Sequence, residues 1–447
     1  MWRKRLYDSV VLFATYKHQG ITKILAMDNK QHFASLQQNT KASLPDCKQQ
    51  AAITDTDTNS TGGGKTGGVK SVKGERIEYI DALRGFTMIL VVMTHVCNFC
   101  FNSYNLSYSS IMAQFRMPLF FFVSGFVFYK DVIWDRYTFA SFMKKKIPVQ
   151  ILTPTVFLLL YVYIKDLPVI GVLTNGFRYG YWFTYTLFLY FLFYIFVKII
   201  SRRLRLNNFV CHIILLLWGI ICYITVPIWG FPVDQDVAMF LLMPHWCYFL
   251  FFVIGVLVKE HFSCFQTLLD NRYFTLSLII LYFLYNIFRE YIIGIVDVGV
   301  GCMCRLCGVF IVFAFFRKYS SAFTKEKLLG RSLQYIGRHT LDIYLLHYFF
   351  LPVGLASVFT FFADNELPSL EIFVSLFIAL LIICLCLIIS NVYRLSPWIE
   401  QYMFGAKKNT DGYSAFCKIR TLAETGVLPE LSIEEINEEI TKARIEK

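Results

Sequence analysis

A succession of apolar runs, each about as long as a bilayer is thick, fills the chain from Ile77 onward and leaves few folds open to it. A helix needs roughly 20 residues to cross the hydrocarbon layer. Such runs centre on Ala82–Phe101, Phe115–Phe128 with its flanks, Ile147–Ile164, Tyr181–Ile200 and Val210–Val226. They continue as Met239–Val258, Phe274–Ile293, Val300–Phe316, Leu333–Pro352 with an extension to Phe362, and Ile372–Val392. Lipid offers no partners to backbone N–H and C=O groups, and a helix satisfies them within one segment. The pattern predicts an all-α, polytopic membrane bundle of about ten transmembrane helices. Pro118 and Pro154 blur the limits of the second and third.

Loop charge orients the bundle. One set of alternate loops holds Lys130, Arg136, Lys144–Lys146, Lys198, Arg202, Arg203, Arg205, Lys259, Arg272, Arg317, Lys318, Lys325, Lys327 and Arg331. The opposite set holds Lys165, Arg178 and Arg289. Sixteen basic residues against three is a strong positive-inside bias, and it predicts that both termini are cytoplasmic. The expected location is the cytoplasmic (inner) membrane, with the lipid bilayer as partner.

Composition narrows the function classes. Charged residues are 17% of the chain and hydrophobic ones 56%, where soluble domains carry roughly 25% charged residues. The net charge of +12 is a loop property. No basic stripe with interleaved aromatics occurs outside the spans, so nucleic acid is not an expected partner. Most of the 13 cysteines fall inside apolar runs and imply no disulfide framework. Cys302, Cys304 and Cys307 lie close together in a Gly-rich stretch without a histidine. That is the texture of packed membrane helices, and no metal is expected.

Residues 1–76 read as a disordered N-terminal extension or linker, ending in a Gly-, Ser- and Thr-rich tract. Gly64-Lys65-Thr66 echoes a phosphate-binding loop, but Asn59 stands where that motif needs glycine. Residues 77–404 form the membrane domain. Residues 405–447 form a cytosolic tail, in which Ser432 and Glu435 make a capping-box pair ahead of Ile433, Ile436 and Ile440 at helical spacing. That predicts a short amphipathic helix, with a frayed tail as the alternative.

Ionisable groups inside a span are costly, which makes each a functional candidate. The first span, YIDALRGFTMILVVMTHV, carries Asp81, Arg84 and His95. Arg84 and His95 are eleven residues apart, on one helix face and about 16 Å apart along the axis. With a cytoplasmic N-terminus, the guanidinium lies at the inner mouth and the imidazole deeper in. A guanidinium holds phosphate or carboxylate bidentately, and an imidazole can take the proton that makes a hydroxyl nucleophilic. The alternative for His95 is a packing histidine. On the second span, Arg116 beside Pro118 either binds donor or acceptor oxygens or snorkels to the outer interface. Ser124-Gly125 offers a small-residue surface. Arg305 on the eighth span either lines an outward cavity or pairs with Glu290, next to Arg289. His245, at the start of the sixth, is expected at the interface. Tyr344 and His347 share a face of the ninth and either hold acceptor hydroxyls or pack against the first span.

The ordered set Asp81, Arg84, Gly85, His95, then Arg116, Pro118, Phe121, Ser124 and Gly125, resembles the acyltransferase-3 family of integral membrane O-acyltransferases. That family's pattern has an opening D-x-x-R-G, an R-x10-H pair on the first span and an R-x-P-L-F-F-x-x-S-G-type second span. Tyr181-Trp182-Phe183 is similar to its W-F signature, and YIGRHTLDIYLLHYFFLP to its late G-x-x-S/T-L-x-I-Y-L-x-H stretch. The resemblance covers roughly residues 77–404 and implies a stand-alone version without a fused esterase-like domain. It implies transfer of an acyl group, most often acetyl from acetyl-CoA or another acyl-CoA, to a hydroxyl of a surface or lipid-linked carbohydrate. It implies His95 as the catalytic histidine with Arg84 beside it and Asp81 near. Arg116, Ser124, Trp182, Arg305, Tyr344 and His347 are the candidates for donor or acceptor binding, and polysaccharide-assembly proteins are candidate partners. A proton-coupled transporter or flippase of a sugar or small solute is the alternative, although no internal repeat of the kind that favours it is apparent.

Overall fold

The computed structural model describes residues 77–101, 107–229, 242–288, 291–292, 294–352, 354–355, 361 and 368–396. The expected N-terminal linker, the C-terminal amphipathic helix, and Arg289 with Glu290 lie outside the described residues. By internal contacts the chain divides into residues 1–73 and 74–447, and every described helix belongs to the second unit.

The described elements are all helical, with no strand among the described residues. Helix α1 is Glu78–His95, continued by a π-helical turn, Val96–Cys100. Helix α2 is Ser107–Phe128 and contains Pro118. Helices α3 (Arg136–Ile147) and α4 (Thr153–Ile164) join through a second π-helical turn, Pro148–Leu152. The short α5 (Val169–Thr174) leads to α6 (Trp182–Arg203) and α7 (Asn208–Trp229). Next come a 3₁₀ stretch at Met243–Tyr248, α8 (Phe249–Glu260), α9 (Phe262–Asp270), α10 (Arg272–Phe288) and α11 (Gly294–Lys318). The chain closes with α12 (Leu328–Arg338), α13 (Thr340–Leu346), a 3₁₀ turn at His347–Phe349, and α14 (Pro368–Tyr393).

Among the described residues, seven helical stretches are long and apolar enough to cross a membrane, and Gln114–Phe128 and Arg272–Phe288 are shorter apolar helices. Two predicted spans differ in form. The third extends back to Arg136, because α3 and α4 run on through their π-helical turn. The ninth is not one helix. It breaks at His339, whose backbone is non-helical and whose N–H and ring Nδ1 both turn back to the Tyr335 carbonyl at the end of α12. Those bonds satisfy a helix end that otherwise leaves carbonyls bare.

Two close crossings build the centre. A Cβ on Gly85 of α1 would strike the backbone carbonyl of Leu333, and one on Gly337 of α12 would strike that of Asp81. The same reciprocal arrangement joins Gly125 of α2 to Phe252, and Gly255 of α8 to Phe122. Backbones this near require small residues, the usual device where apolar burial cannot drive helices together. Outward faces stay apolar: Phe283, Phe373, Phe377 and Ile388 are all exposed, as a lipid-facing surface requires.

Candidate active site

His95 ends α1 on the side away from Arg84, just before the π-helical turn. Its Nε2 lies 3.0 Å from the hydroxyl of Tyr348. The His347 ring stands 5.2 Å from the His95 ring, centroid to centroid, and the Tyr348 ring 5.1 Å. Phe99, carried by the π-helical turn and 40% exposed, lies against both His95 and Tyr348. Such turns recur at functional positions in helices.

His347 is fully buried. Its Nδ1 is 2.8 Å from the Ile343 carbonyl. A carbonyl only accepts, so Nδ1 carries the proton and Nε2 is left as a bare acceptor. Four enclosed atoms in this neighbourhood have no hydrogen-bond partner among the described residues: Nδ1 of His95, Nε2 of His347, and Nε and Nη1 of Arg116. Arg116 lies within electrostatic range of His95, Tyr348 and Tyr248. Buried polar atoms without partners are rare in folded proteins. Two imidazoles and a guanidinium left open together form a polar centre built to receive polar atoms.

The other expected residues are distributed differently. Arg84 does not share His95's surroundings: its Nη2 donates to Thr340 Oγ1 at 2.9 Å, and its Nη1 lies 3.6 Å from the Asp81 carboxylate. Asp81, Arg84 and Thr340 form one group, inner on the orientation that loop charge predicts, and His95, Arg116, His347 and Tyr348 a second, outer on that orientation. Tyr344 turns away from His347 and donates to the Gly180 carbonyl (3.1 Å). Arg305 Nη1 donates to the Tyr223 hydroxyl (2.7 Å). Arg305 is thus held by Tyr223, and among the described residues no hydrogen bond joins it to His95 or Tyr348. Ser124 spends its hydroxyl on the Phe120 carbonyl of its own helix (2.8 Å).

Trp182 stacks on His245 at 3.8 Å between ring centroids. His245 is buried, at 3% exposure. Its Nε2 lies 2.9 Å from the Gly176 carbonyl, and Tyr190 donates to its backbone carbonyl. The cysteines do not converge either, since Cys304 donates to Gln114. The metal-compatible group found among the described residues is His212, Glu260 and His261, whose ligand atoms lie within 4.8 Å of one another. Lys198 Nζ already stands 3.2 Å from His212 Nε2 there, and an ammonium in that position completes an ion-paired cluster.

Tyr348 was not anticipated. Its position follows from the switch to 3₁₀ winding at His347, which turns successive residues by a different angle than an α-helix does and brings His347 and Tyr348 to one imidazole together.

A family model described as an acyltransferase domain matches residues 77–390, which spans both groups. The chain belongs to the acyltransferase-3 family. No curated protein and no solved structure matches it. Membership makes the protein a membrane acyltransferase, and the group around His95 is where two of its imidazoles meet.

Proposed function

We propose that this acyltransferase moves an acyl group, acetyl in the first instance, from a cytosolic acyl-CoA to a hydroxyl of a surface or lipid-linked carbohydrate. One observation carries the reading: the His95 and His347 rings stand 5.2 Å apart, each with an enclosed nitrogen that has no partner among the described residues, and Arg116 carries two more such nitrogens. His95 removes the acceptor proton, the freed oxygen attacks the thioester carbonyl, and the carbon–sulfur bond breaks as the tetrahedral intermediate collapses. Arg116 is the cation placed to offset the oxyanion that develops. Arg84, about 16 Å away along α1, suits the phosphates of a donor entering from the cytosol. The positive-inside charge distribution supports ten spans with both termini cytoplasmic.

Replacing His95 by alanine should leave the protein in the membrane and cut acyl transfer by about 10²–10⁴-fold. The assay is label transfer from radiolabelled acetyl-CoA into cell-surface glycan, in membranes with and without the protein. Wild-type incorporation by the variant would overturn the role of His95. Solute movement without covalent label would point to a carrier instead.

A further inference from the structure

An imidazole has two nitrogens, and in His95 they are not equivalent. Nε2 is engaged with the Tyr348 hydroxyl at 3.0 Å, whereas Nδ1 is enclosed and has no partner among the described residues. A base must offer a lone pair. A phenol can donate to or accept from Nε2; for the free position, Nδ1, to offer the lone pair, the neutral ring carries its proton on Nε2 and the tyrosine oxygen accepts it. Once Nδ1 gains a second proton both nitrogens are donors, and the acceptor for Nε2–H is already in place.

We infer that Tyr348 is a positioning residue for His95: it holds the ring through Nε2 so that Nδ1 is the working base, and Gly180 makes the room its hydroxyl needs. This rests on His95 being the base. Gly180 has a left-handed backbone (φ 98°), and a Cβ there would collide with the Tyr348 hydroxyl. Its neighbours Arg178 and Tyr179 are left-handed as well (φ 41° and 49°). Such conformations in non-glycine residues persist only where their surroundings enforce them. Here the Gly180 N–H bonds the Phe177 carbonyl (2.6 Å), Tyr344 donates to the Gly180 carbonyl (3.1 Å), and Tyr181 donates to the Leu345 carbonyl (2.7 Å). The turn is thus fastened to the segment that carries Tyr348. The left-handed strain is concentrated where the tyrosine hydroxyl passes over the glycine.

The proton ledger closes without Tyr348 changing charge. The acceptor O–H bond breaks and its proton goes to Nδ1. The new C–O bond forms at the thioester carbon, the C–S bond breaks, and Nδ1 returns the proton to the departing sulfur. Because Nδ1 is screened from water, the acceptor must part the side chains over it, and Phe99 lies against both rings.

The test uses full-length protein in phosphatidylethanolamine vesicles, with radiolabelled acetyl-CoA as donor and an alkyl glucoside as acceptor. Tyr348→Phe should lower kcat by about 10- to 100-fold, the worth of a hydrogen bond to a charged group, with the donor KM within about 2-fold. Gly180→Ala should reproduce that split, and the double variant should be no slower than the slower single one, because both act through one hydroxyl. An unchanged kcat in Tyr348→Phe, a loss confined to KM, or losses that multiply in the double variant would each overturn the proposal. If Gly180→Ala fails to accumulate, Tyr348→Phe decides alone, since it keeps the ring and its packing. His95→Ala separates the two levels: activity in that variant defeats the base itself, whereas an inactive His95→Ala beside a fully active Tyr348→Phe defeats only the positioning role.

Discussion

Arg116 and Arg84 are both single guanidinium groups on helices, yet their surroundings assign them different work. Arg116 keeps two enclosed nitrogens without partners beside His95, whereas Arg84 is held by Thr340 and Asp81. Arg116→Lys retains the charge but loses the planar fork. It should lower kcat by about 10- to 100-fold, measured by steady-state transfer from acetyl-CoA. Arg84→Lys should act mainly on the donor KM. A fall in kcat of the same size for Arg84→Lys would place both at the reacting atoms. Of these residues, Arg84, His95 and Arg116 were legible because ionisable groups in apolar runs stand out. Tyr348 and Gly180 were not, since neither a tyrosine in an aromatic-rich chain nor one glycine among 25 carries a period or a charge that marks it.

At the scale of elements, two ion pairs show how far burial decides the strength of a tether. Asp342 of α13 is fully buried and is gripped by Arg394 through Nη2 to Oδ1 (2.9 Å) and Nε to Oδ2 (3.1 Å), with Ser390 of α14 adding a bond at 2.5 Å. Asp270, the last residue of α9, pairs with Arg317 of α11 at 2.6 and 2.8 Å but is largely exposed. That partner holds the Asp270 carboxyl below the usual range, so its contribution is present at neutral pH and lost as pH falls through the lowered value. Asp342→Asn should cost about 1–3 kcal/mol by removing the buried charged acceptor that Arg394 and Ser390 share, and Asp270→Asn no more than about 1 kcal/mol. Thermal unfolding in detergent compares them. Gly337→Val should push α1 from α12 and destabilise by about 1–3 kcal/mol. The apolar runs announced these helices well, because spanning length and hydrophobicity act within one segment. The break at His339 was hidden, since it depends on how a helix end satisfies its own carbonyls and not on any proline or polar interruption.

For the molecule as a whole, the charge asymmetry between alternate loops makes a claim that packing does not. A protease-cleavable tag after Lys447 should be cut in intact cells only when the protease is expressed in the cytosol. Cleavage by protease added outside would reverse the orientation and put the Arg84 group on the wrong face for a cytosolic donor. The broad architecture was readable because a bilayer restricts the chain to so few solutions. The meeting of the first and ninth segments was only one of two alternatives for Tyr344 and His347, because proximity between distant segments leaves no trace in a single sequence.

That meeting has a consequence for how tolerant the enzyme can be. Residues 328–349 lie along α1 and are pinned to it at three heights: Gly337 against Asp81, Thr340 on Arg84, and Tyr348 on His95. Two strands of a ladder joined by three rungs keep a common scale. One alanine inserted between Ile343 and Tyr344 would swing everything beyond it by about 100° while sparing the lower rungs, leaving a protein that still assembles and no longer has a phenol opposite its imidazole.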